Sequence, residues 1–116
     1  MKLAPKSIAL TFAGGAIGSL SRWVLGESFD LVAMLWVANM LGTLLLGLIN
    51  GHSWFATESR REFWAIGFCG GFTTMSGLAA WMYFSSFSLI ALALMFALGF
   101  LVYWFGLKIG TRMAAR

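Results

Sequence analysis

The stretch GFCGGFTTMSG, residues 67–77, gathers four glycines and three hydroxyl side chains inside a run, residues 63–107, that carries no charged residue. A bilayer core is roughly 30 Å thick and takes about 20 helical residues to cross, so the uncharged run is long enough for two crossings. With residues 63–84 as one span, the cluster falls at mid-membrane. Gly70 and Gly71 weaken a helix there, and Thr73, Thr74 and Ser76 can bond backbone groups. The expectation is a span broken at its centre, which lipid forbids unless protein or an aqueous cavity satisfies the freed amides and carbonyls. A packed kink with back-bonded threonines is one reading. The other is an ion site, since freed carbonyls coordinate cations and helix N-termini favour anions.

The rest of the chain has the same character. Of its 116 residues 60% are hydrophobic and 10% charged, more apolar surface than one soluble core hides. The expected class is an all-α membrane protein with four transmembrane helices. Residues 1–116 form a single transmembrane domain, with spans at about 7–25, 31–52, 63–84 and 88–107, the last two divided at the polar FSSFS, residues 84–88. GESFD links spans 1 and 2, and HSWFATESRRE links spans 2 and 3, with Thr57 or Ser59 available to cap the third helix. The first apolar run passes at once into a second, so the N-terminus reads as retained rather than as a cleaved signal. Cys69 is the sole cysteine and is expected to pack rather than to bond or bind metal. His52 stands alone near a loop.

Charge sets the orientation. Lys2, Lys6, Arg60, Arg61, Lys108, Arg112 and Arg116, seven of the eight basic residues, share the side holding both termini and the 2–3 connection. Lys and Arg in short loops stay on the cytoplasmic side, so the N- and C-termini are expected in the cytoplasm. The net charge of +4 sits at span edges, where it meets lipid headgroups. No nucleic acid partner is implied.

Two polar residues lie within the spans. Asn39 is near mid-bilayer in span 2 and must face protein or water; it is either interhelical hydrogen-bond glue or a donor on a substrate pathway. Arg22 lies about one turn from the end of span 1, either as an interfacial anchor that snorkels outward or as a positive charge at a pore mouth. Gly14 with Gly18, and Gly67 with Gly71, have the small-xxx-small spacing of close helix packing.

GGAIGSLSRW on span 1, VANMLGTLLLG on span 2 and GFCGGFTTMS on span 3, in this order, resemble the CrcB/Fluc family of small four-span fluoride channels. That family has a glycine-rich first helix ending in Arg, an Asn-x-x-Gly second helix, and a broken third helix with G-G-x-T-T-F-S-T-F. The resemblance covers nearly the whole chain. It implies an antiparallel, dual-topology dimer with two fluoride pathways and a structural sodium ion (Na+) at the dimer centre. It also implies roles for residues: Asn39 as the pore asparagine, Arg22 as the vestibule arginine, Thr74 and Ser76 along the fluoride pathway, and the backbone carbonyls of Gly70 and Thr73 as sodium ligands. Met75 and Leu78 stand on the pathway where the family has phenylalanines, Gly77 replaces a threonine, and Trp81 replaces a frequent glutamate. Aromatic ring edges carry partial positive charge that can face a dehydrated anion, and Met and Leu offer none.

An antiparallel homodimer needs a chain that inserts both ways, whereas this charge bias is one-sided. The expectation is therefore a heterodimeric fluoride channel in the cell membrane (inner or plasma membrane), with a second homologous small subunit in the opposite orientation supplying the aromatic motif. A non-conducting assembly or regulatory subunit is the alternative favoured by Met75 and Leu78. A small proton-coupled multidrug exporter would need a carboxylate deep in a span, and Glu27, Asp30, Glu58 and Glu62 all lie at span ends. No catalytic constellation is visible, so no enzyme is expected.

Overall fold

The computed structural model describes residues 4–84 and 89–116. Helices α1 (Pro5–Ser28) and α2 (Leu31–Gly51) are continuous. A 3-10 turn at Ser53–Ala56 leads into α3 (Glu58–Arg61), a π-helical segment (Glu62–Cys69), α4 (Gly70–Phe72) and α5 (Met75–Phe84). The long α6 (Leu89–Ala114) completes the order. Among the described residues four stretches, Pro5–Ser28, Leu31–Gly51, Glu58–Tyr83 and Leu89–Ala114, are long and apolar enough to cross a membrane. The molecule measures 43 × 32 × 30 Å, and its long axis matches a bilayer with headgroups, about 40–45 Å. Most of the expected FSSFS turn, residues 85–88, lies outside the described residues, as does Lys2.

The helices run past the uncharged stretches that announce them. Glu, Lys and Arg are good helix formers, so an apolar run measures bilayer thickness while caps set the helix ends. Pro5 occupies the start of α1, where its missing amide costs nothing. The Asp30 side chain accepts from the Ala33 amide at 2.8 Å and so fixes the start of α2. Thr57 takes the cap position of α3 in extended conformation, without a side-chain cap bond.

Glycine spacing decides which helices pair. Gly14 and Gly18 lie against the backbone of Phe63, Phe68 and Phe72, while Gly67 and Gly71 lie against that of Thr11, Gly14 and Gly15. A Cβ at any of these four would overlap backbone, so α1 and the first half of the third span approach as only glycine permits. The same device joins α2 to α6: Gly47 and Gly51 meet Tyr103, Leu107 and Thr111, and Gly106 and Gly110 meet Leu44, Leu48 and His52. This second pair was equally readable in the sequence, at the same four-residue spacing.

The two helix pairs meet in a small core of Leu35, Leu78 and Met95, with Met34, Trp36, Met40 and Trp81 packed on it. Cys69 is buried as a packing residue. Large apolar side chains such as Phe12, Leu20, Ile66 and Phe105 stay exposed in the single chain, as expected where lipid or another subunit replaces water.

Candidate functional site

The third span breaks at its middle. Thr73 is extended (φ −80°, ψ 159°), ending α4, and α5 begins at Met75. Gly70 and Gly71, expected to weaken the helix, both remain helical; the interruption follows them, and none of the described glycines has positive φ. Gly71 instead serves the contact with Gly15. A π-helical segment ends at Cys69, one short turn before the break, a feature that concentrates at functional sites in helices.

Several of the polar groups at the break are held by side chains. The Thr74 amide, which would bond the Gly70 carbonyl in a continuous α-helix, instead donates to Asn39 Oδ1 at 2.8 Å. Asn39 Nδ2 returns a longer bond, 3.4 Å, to the Thr74 carbonyl. One amide side chain thus grips both backbone groups of Thr74. Arg22 Nη1 donates to the Thr73 carbonyl at 2.8 Å, and Ser19 Oγ donates to the Gly71 carbonyl at 3.3 Å. The Thr73 amide and hydroxyl both donate to the Cys69 carbonyl, at 3.0 and 2.9 Å. Thr74 Oγ1 accepts from the Gly77 amide at 3.0 Å, capping α5, and lies 3.3 Å from Ser76 Oγ.

Arg22 therefore sits deeper than the apolar run implied. Helix α1 continues to Ser28, which places Arg22 six residues, about 9 Å along the axis, from its end. Its guanidinium turns inward to a carbonyl dipole beside the break.

The break opens on a cavity of about 490 Å³ between α2, the third span and α6. Asn39, Thr74, Met75 and Leu78 of the sequence-derived set line it, together with Gly70 and Thr73. Met75 is 64% exposed, whereas Leu78 is 4% exposed and anchors the core. At Gly70 no atom lies within 4 Å of where a Cβ would stand, so its backbone faces open space. Among the lining residues not singled out from sequence are Thr43, Phe96, Phe100 and Tyr103. Thr43 lies one turn after Asn39 and donates to its carbonyl at 2.6 Å. Phe96, Phe100 and Tyr103 form a stripe at helical spacing on α6, a signal hidden by the aromatic richness of the whole span.

The carboxylates lie at span ends: Glu27 in the last turn of α1, Asp30 as cap, Glu58 and Glu62 at the start of the third span. His52 Nδ1 accepts from the Trp54 amide at 3.0 Å, a local turn bond. Among the described residues no group of three His, Cys, Asp or Glu side chains could hold a metal ion.

The profile of a family described as CrcB-like protein, Camphor Resistance (CrcB), matches residues 9–107. A protein of Corynebacterium jeikeium (strain K411) named Fluoride-specific ion channel FluC 2 is 39% identical, over 63% of this chain and 56% of its own length. A protein of the same name from Bacillus licheniformis is 38% identical, over 64% of this chain and 60% of its own length. A third of that name, from Halalkalibacterium halodurans, is 35% identical over 97% of this chain and 94% of its own length. The chain thus spans little more than half the length of the first two and nearly all of the third. No solved structure matches it. The family profile runs from the first span into the last and takes in the break, Asn39 and Arg22: this chain belongs to the CrcB-like family.

Proposed function

We propose that this chain is one subunit of a passive, fluoride-selective channel that exports fluoride from the cytoplasm. The observation that carries the proposal is the break at Thr73–Thr74, held open by Asn39 and Arg22 on the wall of a polar-edged cavity. Lipid does not tolerate such a break for its own sake. The names of the relatives from Corynebacterium jeikeium and Halalkalibacterium halodurans point the same way.

Fluoride is small and strongly hydrated, so a narrow path must replace its water with donors. Arg22 supplies a fixed positive charge that draws anions to the break. Asn39 holds Thr74 so that the hydroxyls of Thr74 and Ser76 stand at the N-terminus of α5, where the helix dipole favours negative charge. Phe96 and Phe100 line the same space and offer ring edges from the fourth span, whereas Met75 and Leu78 occupy the third-span positions. Movement is downhill and needs no proton carrier, in keeping with carboxylates confined to span ends.

Both termini lie in the cytoplasm on this reading, following the charge bias. A homologous second subunit, inserted the opposite way, completes an antiparallel dimer and covers the exposed apolar faces. The carbonyls of Gly70 and Thr73 would hold a structural sodium ion between the subunits. The donor chemistry fits, because hard oxygen donors suit such an ion and the Gly70 carbonyl has lost its helical amide. Thr73 already gives its oxygen to the Arg22 guanidinium; a second lone pair remains, but the like charge opposes a cation there, so the fit rests on the Gly70 carbonyl. Two oxygens from one chain are too few, so the ion needs the partner's. When bound, it would offset the backbone dipoles that converge at the break.

Fluoride efflux from liposomes tests the function, with the chain alone and with its reversed partner. Selective efflux in the paired sample is expected. Paired samples that hold fluoride as tightly as empty liposomes would favour a non-conducting assembly subunit.

A further inference from the structure

The cavity has a second polar end that the break does not explain. Along α2, Asn39, Thr43, Leu46 and Asn50 follow at intervals of four, three and four residues, one narrow face of a helix. Asn50 lies eleven residues beyond Asn39, about 16 Å along the axis, near the 3-10 turn. There Asn50 Nδ2 donates to the Tyr103 hydroxyl at 3.0 Å, and Tyr103 lines the same cavity as Asn39 and Thr74. Asn50 Oδ1 is buried and has no hydrogen-bond partner among the described residues.

This arrangement has a direction. The Tyr103 oxygen is engaged as an acceptor, so its own proton is left to be given elsewhere. A donor that is itself hydrogen-bonded through its oxygen is polarised and gives a stronger bond. Asn50 meanwhile turns its donor edge to the tyrosine and its acceptor edge into the protein, where the oxygen goes unmet at a real cost. A site for a cation would present oxygens and hide amide protons. This one does the reverse, as a path for an anion requires.

Building on the channel reading above, we propose that the Tyr103 hydroxyl is a fluoride ligand at the end of the cavity nearest the connection between α2 and the third span, and that Asn50 is its positioning residue. The ion leaving or entering at this end exchanges water for the phenolic proton, and the relay from the Asn50 amide through the Tyr103 hydroxyl stabilises the negative charge. The two ends of the cavity then carry separate donor sets: Asn39 with the break hydroxyls at one, Tyr103 at the other.

The test is fluoride and chloride efflux from liposomes carrying the channel purified with its partner. Tyr103→Phe keeps the ring and removes the proton. Fluoride efflux is expected to fall about tenfold, the loss of one hydrogen bond to a charged group, with chloride still excluded and the assembly unchanged in size. Should Tyr103→Phe fail to assemble, Asn50→Asp against Asn50→Ala decides. The aspartate accepts the phenolic proton and should cut fluoride efflux further than the alanine, which leaves that proton free. A wild type that conducts while Tyr103→Phe conducts equally, or equal efflux from the two Asn50 variants, overturns this proposal and leaves the channel reading standing. A wild-type assembly that passes no fluoride overturns both.

Discussion

Asn39 and Arg22 are the residues on which the site turns, and both have double meanings in sequence. An amide at mid-bilayer can be glue or ligand, and its position alone does not separate the two. The structure gives Asn39 a definite task, since it bonds the amide and carbonyl of Thr74. Asn39→Ala should therefore destabilise the protein by about 1–3 kcal/mol, the usual penalty for buried groups left unpaired. Unfolding in graded denaturing detergent would measure this, and a change near zero would deny Asn39 its bracing role. Arg22 was legible as charged but not as deep, because the apolar run stops before the helix does. Arg22→Met keeps much of the length and removes both the charge and the bond to the Thr73 carbonyl. Fluoride efflux is expected to fall about tenfold, and unaltered efflux would leave the guanidinium a structural tie only.

Among the elements, the third span is the one whose irregularity matters, and the glycines on it and against it divide into two kinds. Gly18, which receives that span, faces the backbone of Phe68 and Phe72, whereas Gly70 faces open cavity. Gly18→Ala should cost about 1–3 kcal/mol through overpacking. Gly70→Ala should be neutral or stabilising by about 0.5–1 kcal/mol, since alanine is the better helix former. A thermal-stability comparison of the two in detergent checks the pair, and equal losses would contradict the packing described here. The four spans and the central interruption were legible because hydrophobic length and the GGFTT cluster report directly on local energetics. The register of the interruption within GGFTTMS, residues 70–76, was not: glycine propensity alone leaves it open, and the tertiary bonds of Asn39 and Arg22 hold it at Thr73–Thr74. The stripe of Phe96, Phe100 and Tyr103 was equally opaque, since an aromatic side chain facing lipid and one facing a cavity look alike in a uniformly apolar span.

For the whole molecule, the decisive features are its one-sided charge and its thin core. Among the described residues the buried apolar side chains are Leu35, Ala38, Ile49, Cys69, Phe72, Leu78 and Met95, so lipid or a companion must cover the remainder. If the bias of basic residues fixes one orientation, replacing Arg60 and Arg61 with serine should shift reporter fusions at the C-terminus from wholly cytoplasmic towards a mixture. A reporter signal from both sides in the wild type would remove the argument for a separate, reversed partner. A conducting break requires that its cavity hold water in the membrane. In the assembled channel with Cys69→Ala, a cysteine introduced by Gly70→Cys can be treated with a hydrophilic, membrane-impermeant thiol reagent, with Leu101→Cys on the exposed face of α6 as control. The expected result is rapid modification in the Gly70→Cys channel with loss of fluoride efflux, and none in the control. A Gly70→Cys channel as unreactive as the control would mean that the break is sealed, and that no ion passes there.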